Sequence, residues 1–114
     1  MSKSPRFQEW AAADLVTVTT NMNVEKGRVE DSAAIGRLVE WLTHHEDGWV
    51  EPRDGALIMK IRLNFSAEGR GMGNLGVGTE FLTAHRHGGF RQRAISPGED
   101  ATVFELLGID DPRP

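Results

Sequence analysis

The chain has 114 residues, which suffices to bury one hydrophobic core but not two, so we expect a single domain over residues 1–114. It contains no cysteine, which excludes disulfides, iron–sulfur clusters, thiolate zinc sites and cysteine nucleophiles. No apolar run approaches the roughly 20 residues that cross a bilayer, and the first residues lack the apolar stretch of a secretory signal, so we expect a cytoplasmic protein.

The first half of the chain predicts a helix, a strand and a second helix. The Ser-Pro pair and the apolar residues within 4–13 indicate a short opening helix. Residues 14–24 put Val, Thr or Met at every second position through Val24, which is typical of a half-buried strand. Apolar residues recur at helical spacing over residues 32–46. Asp31 or Ser32 can cap that helix and Gly48 can end it.

The middle of the chain predicts a second strand followed by a loop. Residues 57–66 alternate between apolar side chains and polar or basic ones, which indicates a strand with one face in the core. Residues 67–78 hold five glycines, so we expect a mobile loop or an irregular hairpin connection there. Within it, residues 71–76 match Gly-x-Gly-x-x-Gly, but they lead into a predicted strand instead of opening a helix, which disfavours a dinucleotide-binding loop.

The last third predicts a hairpin and a helix. A strand over residues 77–87 would turn at Gly88-Gly89 and return over residues 90–95. Residues 96–109 combine a capping box, an apolar face and a glycine stop, and residues 110–114 are predicted to be a frayed tail. The order of elements therefore predicts an α+β fold, an antiparallel sheet of about four strands with two or three helices packed on one face.

Histidines near the predicted hairpin suggest one candidate metal site. His85 and His87 are two residues apart on a strand, so both imidazoles would point the same way and could share a divalent metal such as zinc. Candidates for a third ligand are Glu80, His44, His45 and Gln92. Such a centre would activate water for a small-molecule reaction. The competing interpretation is a polar hairpin tip with no metal and no cofactor.

This segment resembles part of the cupin family. Gly78, the His85-Arg86-His87 triplet, Gln92 and Gly98 are similar to the first cupin motif, which implies a metal held by the two histidines. Glutamate is usual where Gln92 stands, and two of the spacings differ from the family pattern. Sixteen residues follow Gly98 and predict a helix, which leaves no room for the second cupin motif.

Charge is distributed unevenly along this acidic chain. Residues 1–59 hold 6 basic and 10 acidic side chains, residues 60–93 hold 6 and 2, and residues 94–114 hold 1 and 5, so the three segments carry −4, +4 and −4. The candidate partner-binding residues of the basic segment are Lys60, Arg62, Arg70, Arg86, Phe90, Arg91 and Arg93. By strand parity Lys60 and Arg62 share one face, and Arg91 and Arg93 share another. The two pairs meet only if both emerge on the same side of the sheet.

Three functional hypotheses follow from these observations. The first is a small non-catalytic interaction protein, of the inhibitor, immunity or phage-accessory type, that docks an acidic protein or a nucleic-acid-bearing complex through the basic hairpin and the glycine-rich segment. The second is a metal-dependent enzyme that uses His85 and His87. The third is direct binding of DNA or RNA by the basic segment. We expect no membrane partner.

Overall fold

A six-stranded antiparallel sheet organises the part of the chain that the computed structural model describes, residues 7–20, 22–51, 61–78, 80–86 and 89–110. In chain order the elements are a 3₁₀ helix Phe7–Ala12, β1 Leu15–Thr20, β2 Glu25–Val29, α1 Ser32–Thr43, β3 Ile61–Ala67, β4 Arg70–Val77, β5 Phe81–Arg86, β6 Gly89–Ala94 and α2 Glu99–Leu107. The strand order is β2-β1-β3-β4-β5-β6. The predicted α+β class and antiparallel sheet are confirmed, whereas the predicted number of about four strands was wrong.

One missed strand arises from a turn hidden inside an alternating pattern. The predicted strand over residues 14–24 ends at Thr20, whose Oγ1 accepts hydrogen bonds from the amides of Met22 and Val24, each at 3.2 Å. Asn23 adopts a φ of 63°, and the chain returns as β2. Met22 and Val24 were expected on the buried face, but they are 80% and 52% exposed.

The second missed strand is the glycine-rich segment. Residues 70–77 form β4, and Glu68 and Gly69, at φ 52° and 79°, make the two-residue turn that joins it to β3. The predicted loop was therefore wrong. At Gly73, where φ is 117°, an added Cβ would overlap the carbonyl oxygen of His85 and lie 3.2 Å from the Trp10 ring. The strand needs glycine at this position because the backbone of β5 lies against it, its φ is positive and the indole of Trp10 is also close.

The helices cover one face of the sheet, which we call the inner face, and we call the opposite face the outer face. Trp10 stacks on Phe65 at 4.2 Å between ring centroids, and its Nε1 donates to the carbonyl of Met72 at 2.8 Å. The buried inner-face strand residues are Val16, Val18, Val29, Ile61, Leu63, Phe65, Leu75, Val77, Leu82 and Ala84. They pack with Ile35, Leu38, Leu42, Val103 and Phe104 of the two α-helices in one core.

Both predicted α-helices are confirmed with small shifts at their ends. Asp31 caps α1, accepting a hydrogen bond from the amide of Ala33 at 2.9 Å, and α1 ends at Thr43, three residues before the predicted end. The Glu99 carboxylate accepts from the amide of Ser96 at 2.7 Å, which is one half of the predicted capping box, but the N-cap of α2 is Gly98 and no side chain caps it. Gly108 ends α2 at a φ of 74°. No described helix has the length and apolar character to span a membrane.

The β5–β6 hairpin differs from the prediction by one residue at its turn. Arg86 pairs with Gly89, so Gly89 belongs to β6 and is not a turn residue. The strand that was predicted to start at residue 77 begins at Phe81, and Val77 is instead the last residue of β4. His87, Lys60 and the predicted tail after Asp110 lie outside the described residues.

Candidate binding surface

The three hairpin arginines lie on the inner face of the sheet. The register pairs Arg93 with Leu82 and Arg91 with Ala84, and paired residues of neighbouring strands point to the same side. Arg86 follows Ala84 by two residues and shares that side. The predicted basic hairpin therefore turns its charges toward the layer that holds the helices.

Arg86 is held against the 3₁₀ helix. Its Nη2 lies 2.8 Å from Oε2 of Glu9, and its guanidinium carbon lies 6.0 Å from the centroid of the Trp10 ring. Only 16% of the Arg86 side chain is exposed. An opposite charge and an aromatic face thus both stabilise this guanidinium within the fold.

Arg91 and Arg93 join β6 to the segments around α1 and α2. Arg93 Nε donates to the carbonyl of Asp47 at 2.9 Å, and its two terminal nitrogens lie 4.0 Å from the carboxylates of Asp47 and Glu99. Arg91 lies 3.7 Å from the carboxylate of Glu51. Each hairpin arginine therefore has an acidic partner inside the molecule, which reduces the positive charge it presents to another one.

Arg62 emerges on the outer face. It pairs with Thr19 of β1 and Gly76 of β4, and its side chain makes no ion pair or hydrogen bond with the described residues. Arg70 is exposed at the end of the sheet, next to the β3–β4 turn. Phe90 is on the outer face and 38% exposed. The structure thus separates Arg62 and Phe90 from the hairpin arginines, and Lys60 lies outside the described residues.

Two rows of mostly polar side chains cross the outer face, with one residue from each of β1, β3, β4, β5 and β6. The first row is Thr17, Asn64, Asn74, His85 and Phe90, and the second is Thr19, Arg62, Gly76, Thr83 and Gln92. Neither row contains a carboxylate. Because these residues stand on paired strands, their spacing is set by the sheet. We call these ten residues the outer-face rows.

The outer-face rows carry cationic, amide and aromatic groups, but Gly76 and Thr83 at the centre of the second row are buried, with Thr83 only 3% exposed. Asn64 is used internally, since its Nδ2 donates to the Thr17 carbonyl at 3.1 Å and to Thr19 Oγ1 at 3.0 Å. Asn74 and Gln92 make no side-chain hydrogen bond to the described residues. The rings of His85 and Phe90 are 6.1 Å apart and tilted by 58°. These groups have the chemistry to contact an anion and a planar polar molecule.

A paired charge marks the β2 edge of the same face. Arg28, which is opposite Thr17, lies with its Nε 3.1 Å from Oε2 of Glu25. This hydrogen bond and the nearby negative charge raise the pKa of the Arg28 guanidinium above its ordinary value. Arg28 is therefore paired with the carboxylate of Glu25, whereas Arg62 forms no ion pair with the described residues.

The candidate metal ligands are divided between the two sides of the sheet. His85 is exposed on the outer face, next to Asn74 and Phe90. His45 stacks on Trp41 in the helical layer, and its Nε2 lies 3.9 Å from Glu99. Among the described residues no three His, Cys, Asp or Glu side chains are grouped as a metal site would require. The pairing of His85 with His87 stays a prediction, because His87 is not described.

The amides of the outer-face rows were not identified from the sequence. Alternation in residues 57–66 already placed Asn64 on the face of Arg62, so that signal was present. Asn74 carried none, because the glycines around it predict a loop and a loop has no faces. Gln92 was considered only as a metal ligand, since its position beside Thr83 depends on the register of the hairpin.

Comparison of the chain with models of protein families, with curated proteins and with solved structures finds no match. Its function can therefore be inferred only from the side chains and contacts of this fold.

Proposed function

We propose that this protein is a non-catalytic binding protein that docks an anionic partner through the outer-face rows of its sheet. The observation that supports the proposal is the contrast between Arg62 and the hairpin arginines. Arg62 has no acidic partner among the described residues, and its row carries no carboxylate on β1, β3, β4, β5 or β6; Glu25 of β2 stands next to Thr19 at the edge of the sheet. Arg86, Arg91 and Arg93 are each paired within the chain. A cation without an internal partner is the one available to an external anion.

Two further features favour a partner on this face. Thr19, Arg62 and Gln92 stand in one row on β1, β3 and β6, at a spacing that the sheet fixes, so they can contact an extended partner at several points without first becoming ordered. Phe90 leaves 38% of its surface exposed between polar neighbours, as aromatic residues at interfaces often do. In this proposal the hairpin arginines hold β5 and β6 against the helices, and the surface they support does the binding.

Arg62→Ala tests the proposal with fluorescently labelled heparin as a polyanion probe, followed by anisotropy at low salt. We expect the affinity to fall roughly three- to tenfold, the loss of one or two charge-assisted hydrogen bonds on a partly exposed side chain. Arg37→Ala is the matched control. Arg37 is an exposed residue of α1 whose Nε donates to the Leu106 carbonyl at 3.2 Å, so the substitution removes the same charge from the helical layer. Equal loss in the two variants, or no loss in either, would contradict the proposal.

A further inference from the structure

We infer that the anionic partner is a single-stranded nucleic acid, with a base stacked beside Phe90 and His85 and a backbone phosphate bound by Arg62. The inference rests on the proposed function and specifies its partner. It depends on three properties of the outer-face rows: an exposed aromatic pair, free side-chain amides and the position of the unpaired cation relative to both.

The aromatic pair supplies a stacking surface. Phe90 lies on β6 directly opposite His85 on β5, and both side chains are exposed on the outer face. Their ring planes are tilted by 58° and do not stack on each other, so the ring faces are not used up within the pair. Stacking of a base on such a ring contributes about 1–3 kcal/mol, and every base has a face that can take part.

The free amides supply contacts to base edges. A side-chain amide carries both a donor and an acceptor, as the edges of the bases do. Asn74 is the neighbour of His85 in the first row and Gln92 is the neighbour of Thr83 in the second. Neither amide is engaged by the described residues, in contrast to Asn64. A base stacked on the aromatic pair would lie next to both.

The distance of Arg62 from the aromatic pair fits a short segment of single-stranded nucleic acid. Arg62 is on β3 and Phe90 is on β6. Three strand spacings, about 14 Å, therefore separate the backbones of these two strands. A four-stranded sheet that carries aromatic residues binds two or three stacked bases of RNA across a comparable width. The strands β3, β4, β5 and β6 provide that width, with the cation at one side and the rings at the other. Because Gly76 and Thr83 of the second row are buried, the bound segment would cross the sheet over Asn74 and His85 of the first row.

The same residues favour a single strand over an acidic protein segment or a duplex. The carboxylates of an acidic segment would satisfy Arg62 but offer no flat ring face to stack on Phe90. In a duplex the base faces are stacked on each other and are not available to an exposed ring. The net charge of −4 for the whole chain opposes a binding mode that depends on many phosphates, which favours few phosphate contacts with stacking.

The test is fluorescence anisotropy of the full chain with labelled ten-nucleotide oligouridylate and oligothymidylate, compared with a duplex of the same length and with a polyglutamate peptide. We expect binding to at least one single strand and weaker binding to the duplex and to the peptide. Phe90→Leu, which removes the ring and keeps an apolar side chain, should weaken binding roughly five- to one-hundredfold. Phe90→Tyr should retain it, and Met22→Ala, an exposed apolar residue on the β1–β2 turn, should have no effect.

Salt dependence separates the two kinds of contact. Each phosphate contact on a single strand contributes about 0.7 to the slope of log affinity against log salt, so Arg62→Ala should reduce the slope by about that amount and Phe90→Leu should leave it unchanged. If heparin binding depends on Arg62 but neither single strand binds, the nucleic-acid inference is wrong and the proposed function stands. Tighter binding of polyglutamate, insensitive to Phe90→Leu, would identify a protein partner instead. If heparin binding is also independent of Arg62, both proposals fail.

Discussion

Arg62 and Arg93 carry the same charge on the same sheet, but the molecule uses them in different ways. Arg93 is on the inner face, 15% exposed, and interacts with the Asp47 carbonyl and with the carboxylates of Asp47 and Glu99. Arg62 is on the outer face and has no side-chain partner among the described residues. The difference shows that a cluster of basic residues along the sequence is not a basic patch in space. Alternate residues of a strand face opposite sides of the sheet, so the position of an arginine in its strand decides whether acidic residues of the fold neutralise its charge.

The largest expected effect is on the packing of the inner face, at Gly73. Gly73→Ala should lower the free energy of unfolding by about 3 kcal/mol or more, because the added Cβ meets the His85 backbone and the Trp10 ring at a φ of 117°. Urea denaturation measures the change. The matched control is Gly71→Ala in the same strand, where nothing lies within 4 Å of an added Cβ. If both variants lose the same stability, the crowding and the positive φ at Gly73 do not explain the glycine.

A smaller effect should separate inner-face from outer-face arginines by stability. Arg86→Ala should cost about 1–2 kcal/mol of unfolding free energy, because it removes the hydrogen-bonded pair with Glu9 and the contact with the Trp10 ring from a side chain that is only 16% exposed. Arg62→Ala should change it by less than about 0.5 kcal/mol. Thermal or urea unfolding of the two variants checks this. A larger loss for Arg62→Ala would reverse the roles we assign to the two faces.

The smallest effect concerns the helical layer alone. Gly36 lies within α1, and a Cβ added there would meet nothing within 4 Å, so Gly36→Ala should raise the free energy of unfolding by about 0.5–1 kcal/mol. Heparin binding should stay unchanged, because α1 packs on the inner face. Gly108→Ala is the contrasting control, since its φ of 74° disfavours any side chain and the same change should destabilise. If heparin affinity rises and falls with the free energy of unfolding in these two variants, binding by the outer face depends on the helical layer.

The two helices were predictable because their signals are local. The Asp31 cap, the apolar spacing of α1 and the glycine at position 108 each act within a few residues. The strands were less predictable, for two different reasons. Alternation continues through the β1–β2 turn, so the pattern did not show that the Thr20 side chain closes it. The glycines of β4 have the composition of a loop, and the need for one of them, Gly73, comes from distant residues, the His85 backbone and the Trp10 ring.

By itself the sequence determined the fold class, the presence of the two α-helices and which residues within one strand share a face, since these depend on chain geometry and on contacts between near neighbours. It also determined that Arg91 and Arg93 belong together. Only the tertiary structure decided on which side each strand presents its charges, because that depends on the register between strands distant in the chain. The pairing of Leu82 with Arg93 and of Gly76 with Arg62 places one arginine among acidic partners and leaves the other without one.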